Sequence, residues 1–352
     1  MSHRPFPGLR APIVQAPLGG GPSTPELAAA VSEAGGLGFL AAGYLTPDAL
    51  RGDIARVREL TGAPVAVNVF CLTEAPVDPA AIAAYRRRLE PEASAQGAEL
   101  GEPRFEDDAF AEKLELVLAE RIPIISFTFG CPSRDVIERL HANDVSVWVT
   151  VTEPDEAAVA TRAGADALVV QGIEAGGHRG SFDDRDGVGE LGLLALLALV
   201  RQVSELPLVA AGGIGDGSAV AAVLAAGGHA AQLGTAFMLT PEAGTSAPHR
   251  QALRERRPTG LTRAFSGRRA RGIINRFQAE HSGDAPVAYP HVHHLTAPLR
   301  RAARQAGDAE AINLWAGETY ALAQELPAGE LVERLSADAR AALERALGSA
   351  WR

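Results

Sequence analysis

Residues 164–180 read GADALVVQGIEAGGHRG, residues 207–217 read PLVAAGGIGDG and residues 230–237 read AAQLGTAF. Each contains a short apolar run that is continuous rather than alternating and that breaks at glycine. Such runs suit parallel strands buried on both faces, because neither side of the strand meets water. Working outward, runs of the same kind stand at 12–18, 37–43, 64–70, 122–129, 145–151, 167–173, 207–214 and 230–237. Amphipathic segments rich in Ala, Leu, Arg and Glu lie between them. Eight runs with intervening helices predict a (β/α)8 TIM barrel over residues 1–238, with a doubly wound open sheet as the structural alternative.

Two spacings depart from this repeat. About 50 residues separate the third run from the fourth, too many for a plain βα unit. The acidic, Pro-punctuated part of this stretch, residues 90–108, reads as an extended loop with a lid as one use. After the eighth run, residues 239–298 are rich in Arg, Gly, Thr and Pro and read as a small inserted or substrate domain. Helical periodicity then runs through residues 299–352 as C-terminal helices on the barrel.

Composition narrows the chemistry. The 352 residues carry a formal charge of −10, which argues against the clustered basic surface that nucleic acid requires. Of the 33 basic residues only Lys113 is a lysine, so a Walker A loop is absent and a Schiff base has one candidate. Cys71 and Cys131 form no C-x-x-C, and neither a disulfide framework nor a zinc site is indicated. No run of about 20 apolar residues lacks Gly, Pro or a charge, so no membrane span is expected. The start, MSHRPFPGLRAP, has no apolar segment of the secretory kind, and the expected location is cytoplasmic.

In a barrel the informative residues follow the strands. Glycines stand after the first run (Gly19), after the sixth (Gly176, Gly177, Gly180), at the seventh (Gly212, Gly213) and at the eighth (Gly234, with Thr235). Those at the seventh and eighth runs, each expected to lead into a helix, allow backbone N–H groups to converge on a phosphate. His178 lies in a loop expected to be flexible, with glycine on both sides, either as an acid–base group at the barrel mouth or as a cap on a loop carbonyl. Asn68 and Gln171 are amides inside apolar runs. Each needs a partner such as a flavin ring or ribityl chain, or else neighbouring loop backbone. His291, His293 and His294 lack a carboxylate or cysteine at ligand spacing and read as a solvated loop rather than a metal site. His3, His141, His229, His249 and His281 carry no motif. The match to G-x-G-x-x-G at 187–192 follows a polar run instead of a strand and is set aside as a dinucleotide site. Ser126 and Ser181 lack a G-x-S-x-G context.

These stretches, together with PIVQAPLGG (12–20), EAGGLGFLAAGY (33–44), PVAVNVF (64–70), ISFTFGCP (125–132), FSGRRARGIINRF (265–277), YPHVHHLTAPLR (289–300) and LWAGETYALAQELP (314–327), resemble the nitronate monooxygenases, also known as 2-nitropropane dioxygenases. The resemblance covers nearly the whole chain. It implies an FMN-dependent barrel that oxidises alkyl nitronates with O2 to carbonyl compounds and nitrite. It implies His178 as the catalytic histidine and FMN contacts from Asn68, Gln171, Gly176, Gly177, Gly212, Gly213, Gln232, Leu233, Gly234 and Thr235. It also implies Leu18 and Gly19 as cofactor contacts, with Leu18 where the family often has Met, a volume-conserving exchange expected to preserve packing under the flavin. A cationic or hydrogen-bonding His178 would bind the nitronate anion, and a neutral one would remove the α-proton of a nitroalkane. No metal is expected, and the chain is expected as a monomer or homodimer with a small nitronate and O2 as its partners. The alternatives are a flavin-dependent NAD(P)H enoyl-acyl-carrier-protein reductase and a flavin-binding protein without turnover.

Overall fold

The computed structural model describes Phe6 and residues 9–349. His3, and most of the start on which the reading of a leader rests, lie outside the described residues. Strands β1 (Ile13–Gln15), β2 (Gly38–Ala41), β3 (Val65–Phe70), β4 (Ile124–Thr128), β5 (Ser146–Val151), β6 (Ala167–Gln171), β8 (Leu208–Ala211) and β9 (Ala230–Leu233) form one parallel sheet in the order β1-β9-β8-β6-β5-β4-β3-β2. A bridge between Val14 and Leu37, with Gln15 N–H donating to the Leu37 carbonyl at 2.9 Å, joins the two end strands. The open-sheet alternative therefore falls, and the fold is a (β/α)8 barrel. All eight strands lie within the eight apolar runs.

Helix starts at the upper rim follow local chemistry. Thr24, Thr46, Ser133 and Asp216 each cap a helix by accepting a backbone N–H, and Pro25 and Pro47 take first-turn positions where no donor is missed. The barrel's lower interior is closed by Phe39, Trp148, Ile124 and Val209, all fully buried. Removing each such side chain from water contributes roughly 1.5–3 kcal/mol.

The extended-loop expectation for 90–108 needs correction. Helix α3 (Pro79–Ala95) runs through its first third, with Pro91 inside the helix. Ile82, Tyr85, Leu89 and Ala93 recur at helical spacing and pack against Phe265, Phe277, Val292 and Leu299. Acidic residues and proline on the outer face mask that stripe in the sequence. Beyond α3 the chain is pinned: Gly101 N–H donates to the Leu295 carbonyl at 2.9 Å, and Asp108 holds Lys113 of helix α4 (Phe110–Ala119) at 2.6 Å. Lys113 is fully buried in that pair, which leaves it no free amine for a Schiff base.

A second, antiparallel sheet stands over the mouth: β10 (Thr259–Thr262), β11 (Ala270–Ile273) and β7 (Gly177–His178). Helix α11 (His291–Ala306) packs on α3 and on the Phe265 segment between β10 and β11, so residue 298 lies inside a helix shared by the 239–298 and 299–352 segments. The solvated-loop reading of His291, His293 and His294 is thereby corrected, because they occupy the first turn of α11. Pro298 within the helix obscured the run. Residues 307–327 return across the barrel with a bridge from Trp315 to Gly272 of β11 and a short 3-10 turn (Tyr320–Leu322), and helix α12 (Ala328–Ser349) packs on the helix after β8, α8 (Gly217–Ala225). Among the described residues no helix is long and apolar enough to cross a membrane.

Candidate active site

A cavity of about 620 Å³ opens at the C-terminal ends of the parallel strands, roofed by α11 and by residues 312–319. Leu18, Gly19, Asn68, Gln171, Gly176, Gly177, His178, Gly212, Gly213, Gln232, Gly234 and Thr235 all line it. Leu233 is the exception. Its side chain points away into the core between strands and helices, as alternation along β9 requires once Gln232 faces inward.

One wall of the cavity is bare backbone. Gly213 has φ +66°, a conformation that side chains resist, and neither its N–H nor that of Gly234 finds an acceptor among the described residues. The two donors belong to the β8 and β9 loops. The expectation that both loops lead into helices is met only for the first: α8 begins at Gly217 with its cap already supplied by Asp216, and Gly234 opens a three-residue 3-10 turn, Thr235–Phe237. Thr235 Oγ1 accepts from Gly317 N–H at 3.0 Å, tying the C-terminal crossover to this wall. Gly176 is required by packing, since a Cβ there would lie 2.4 Å from Gly317 N.

The two strand amides behave differently from one another. Asn68 donates to Ser126 Oγ at 2.8 Å and to Thr128 Oγ1 at 2.9 Å, and its carbonyl oxygen makes no protein hydrogen bond among the described residues. Gln171 is engaged at both ends by loop backbone, donating to the His178 carbonyl at 3.1 Å and accepting from Gly180 N–H at 2.8 Å. It holds the His178 segment in place. The amide left without a partner among the described residues is that of Gln232, which is 9% exposed and faces the cavity.

His178 is not in a flexible loop. It lies in β7, whose backbone pairs with Ala270 and Arg271 of β11, a long-range pairing that local glycine content hides. Its Nε2 is 2.8 Å from Ser266 Oγ, and its ring is walled by Phe129, Tyr289 and Trp315 at centroid distances of 5.9, 5.6 and 5.4 Å. Burial, followed by the nearby positive charges of Arg268 and Arg300, pushes its pKa down to about 3. The imidazole is therefore neutral near pH 7, and the cationic alternative does not describe this site. Positive charge comes from Arg300 instead, which is 9% exposed and hydrogen-bonded to Thr296 Oγ1 at 3.0 Å and the His293 carbonyl at 3.0 Å.

Sequence reasoning missed a second layer. Tyr44 stacks on His293 with centroids 4.2 Å apart and 2° between planes, and its hydroxyl lies 3.1 Å from that of Tyr289. Tyr44 and Phe129 follow β2 and β4 with φ of +69° and +78°, conformations that cost energy in non-glycine residues and concentrate at functional sites. Arg268 sits 4.3 Å over the Phe129 ring and donates to the Arg179 and Ser181 carbonyls, fixing the chain that leaves His178. Aromatic residues directly past strand ends, in a chain only 5% aromatic, are the signal that would have found Tyr44 and Phe129. His249, which carries no motif, also lines the cavity and bonds the Trp315 carbonyl at 3.0 Å.

The nitronate monooxygenase family model matches residues 8–338. A nitronate monooxygenase of Pseudomonas aeruginosa is 44% identical over 95% of this chain and 97% of its own, and one of Paraburkholderia phytofirmans is 41% identical over 97% and 95%. The chain belongs to the nitronate monooxygenase family. It is accordingly an oxidoreductase enzyme. Among solved structures, a nitroalkane oxidase from Streptomyces ansochromogenes is 50% identical and superposes with a TM-score of 0.92, covering 97% of this chain and 98% of its own. FabK from Thermotoga maritima gives 0.76 at 26% identity, covering 97% and 96%. Family membership thus spans the parallel barrel, the antiparallel sheet over its mouth and α11, which together enclose the cavity.

Proposed function

We propose that this chain binds FMN in the cavity and oxidises alkyl nitronates with O2, releasing a carbonyl compound and nitrite. The observation that carries the cofactor is the pairing of unengaged donors with bare backbone: the Gly213 and Gly234 N–H groups, and the Gln232 amide lining the same cavity. Peptide N–H groups can surround a phosphate without a lysine, and buried amides without partners need a polar ligand. The residues present fit the group. Gly213, Gly234 and Thr235 would hold its phosphate, and Asn68 and Gln232 its polar edges or ribityl chain. When bound, the flavin supplies the redox chemistry, taking electrons from the organic substrate and passing them to O2.

The chain's own residues supply position and charge. Arg300 gives the cavity a positive field that favours an anion. Neutral His178 is placed to take the α-proton of a nitroalkane, which converts it to the same anion before oxidation. Phe129, Tyr289 and Trp315 keep bulk water from the imidazole. The stoichiometry closes with two nitronates and one O2 giving two carbonyls and two nitrites.

Anaerobic mixing of the purified flavoprotein with propyl-2-nitronate or propionate-3-nitronate is expected to bleach the flavin rapidly, with slow or no bleaching by NADH or NADPH. The reverse pattern would assign the reductase function. Reduction by neither would leave a flavin-binding barrel with another substrate or none.

A further inference from the structure

We propose that Arg301 and Arg304 form an anion-capture rim at the cavity mouth, a site for small organic anions that feeds the inner pocket at His178. The inference rests on the nitronate reading of that pocket. Among the described residues no Asp or Glu lines the cavity, in a chain with 43 acidic residues, whereas three arginines of one helix do, Arg300, Arg301 and Arg304. Their states differ. Arg300 is buried and committed to Thr296, Asn313 and His293. Arg301 and Arg304 are exposed and, among the described residues, neither side chain has a hydrogen bond or a carboxylate partner.

Three other arginines are paired, Arg254 with Glu325, Arg257 with Glu310 and Arg276 with Glu92, so it is the position of Arg301 and Arg304 on the cavity, together with their lack of a partner, that sets them apart. Arg304 stands in the last turn of α11, where its charge also complements the helix C-terminus. Arg301 stands nearly a turn earlier, and both arginines line the same cavity, as do Gly20, Pro22 and Ser246. A protein of net charge −10 repels an approaching anion as a whole, and two unneutralised guanidinium groups at the opening reverse that field where entry occurs. Two unit charges acting across several ångströms of water amount to roughly a tenfold local enrichment.

The test compares the flavin-loaded wild type with an Arg301→Gln/Arg304→Gln double variant. Wild-type kcat/KM for an alkyl nitronate should fall roughly tenfold from low salt to about 0.5 M, where screening is effective within a few ångströms. The double variant should start roughly tenfold lower at low salt, vary little with salt and keep its bound flavin, with the loss in KM rather than kcat. Calorimetric titration with butyrate, an unreactive carboxylate, should show the same weakening. Equal salt slopes and equal butyrate affinities would overturn the rim. Loss of flavin would also overturn it by assigning the arginines to the cofactor phosphate. Weaker butyrate binding in a protein that turns over no nitronate would retain the rim and reject the nitronate reading instead.

Discussion

Nε2 of His178 lies 2.8 Å from Oγ of Ser266, 88 residues further along the chain. The hydroxyl also reaches the Arg268 carbonyl at 3.2 Å. A serine has one proton to give, and donation to that carbonyl makes Oγ an acceptor for Nε2–H. Nδ1 is then the basic nitrogen, with its tautomer set by the bond on the other side of the ring. Ser266→Ala should therefore retain flavin and lower kcat about five- to tenfold, the equivalent of one hydrogen bond of about 1–1.5 kcal/mol. Nitrogen chemical shifts of the imidazole should move from a single tautomer toward a mixture. An unchanged spectrum would make the contact merely packing.

Replacing His178 itself tests the chemistry above this contact. His178→Asn or His178→Ala should keep the cofactor, because Gln171 Oε1 still anchors the segment through Gly180 N–H. Turnover of nitroalkanes should fall about 10²- to 10⁴-fold, the usual worth of a positioned acid–base group. A preformed nitronate should lose less, since its α-proton has already gone. Equal losses for both substrates would place the role of His178 in binding.

The eight parallel strands were legible because burial on both faces leaves a continuous apolar signature, as at Ala167, Leu168, Val169 and Val170. The glycines at 212–213 and at 234 were legible as residues of the barrel mouth because they follow strand ends, and they line the cavity there. The setting of His178 was not. A two-residue strand pairing with Ala270 and Arg271 is specified by contacts nearly a hundred residues away, and glycine on either side mimics a flexible loop. Helix α3 was hidden for the converse reason: its buried stripe of Ile82, Tyr85, Leu89 and Ala93 is narrow, and the acidic residues around Pro91 dominate a linear reading. His293 shows how topology decides a histidine's use. The same residue that reads as solvated becomes a ring stacked on Tyr44 once α11 is laid across the mouth.

The glycine wall gives a direct test of cofactor placement. A Cβ at Gly234 would meet Leu18 Cδ2 at 3.2 Å and Ala16 Cβ at 3.5 Å, contacts that a leucine tip can relieve, and the residue's φ of −106° is open to any side chain. Gly234→Val should therefore fold. Its branched methyl groups would stand where backbone and phosphate must meet, and the purified variant should carry little or no flavin by absorbance. A folded variant with stoichiometric flavin would move the phosphate away from the β8 and β9 loops.

The buried histidines make a prediction about acid stability. Burial pushes His178 down to about 3 and His249 down to about 4, and it depresses His293 as well. In the unfolded chain each takes up a proton near pH 6.5. Between that pH and the depressed native values, the unfolded state binds more protons than the native state, so stability rises with pH. The contribution is fully present above about pH 7 and is lost as pH falls from about 6.5 toward 4, at up to about 1.4 kcal/mol per pH unit for each histidine. Glu156, whose carboxyl is raised mainly by burial, works in the opposite sense, but only where the unfolded carboxylate still ionises while the native one holds its proton. The melting temperature should accordingly be flat above neutrality and drop steeply between pH 6.5 and 4. His249→Gln isolates one of the three: an amide can still donate to the Trp315 carbonyl but cannot take up a proton. Its stability-against-pH slope over that window should be shallower by close to one proton. A wild-type stability that increased on acidification from pH 6.5 would mean that these imidazoles are charged in the native protein, and the neutral His178 on which the proton-abstraction role depends would go with them.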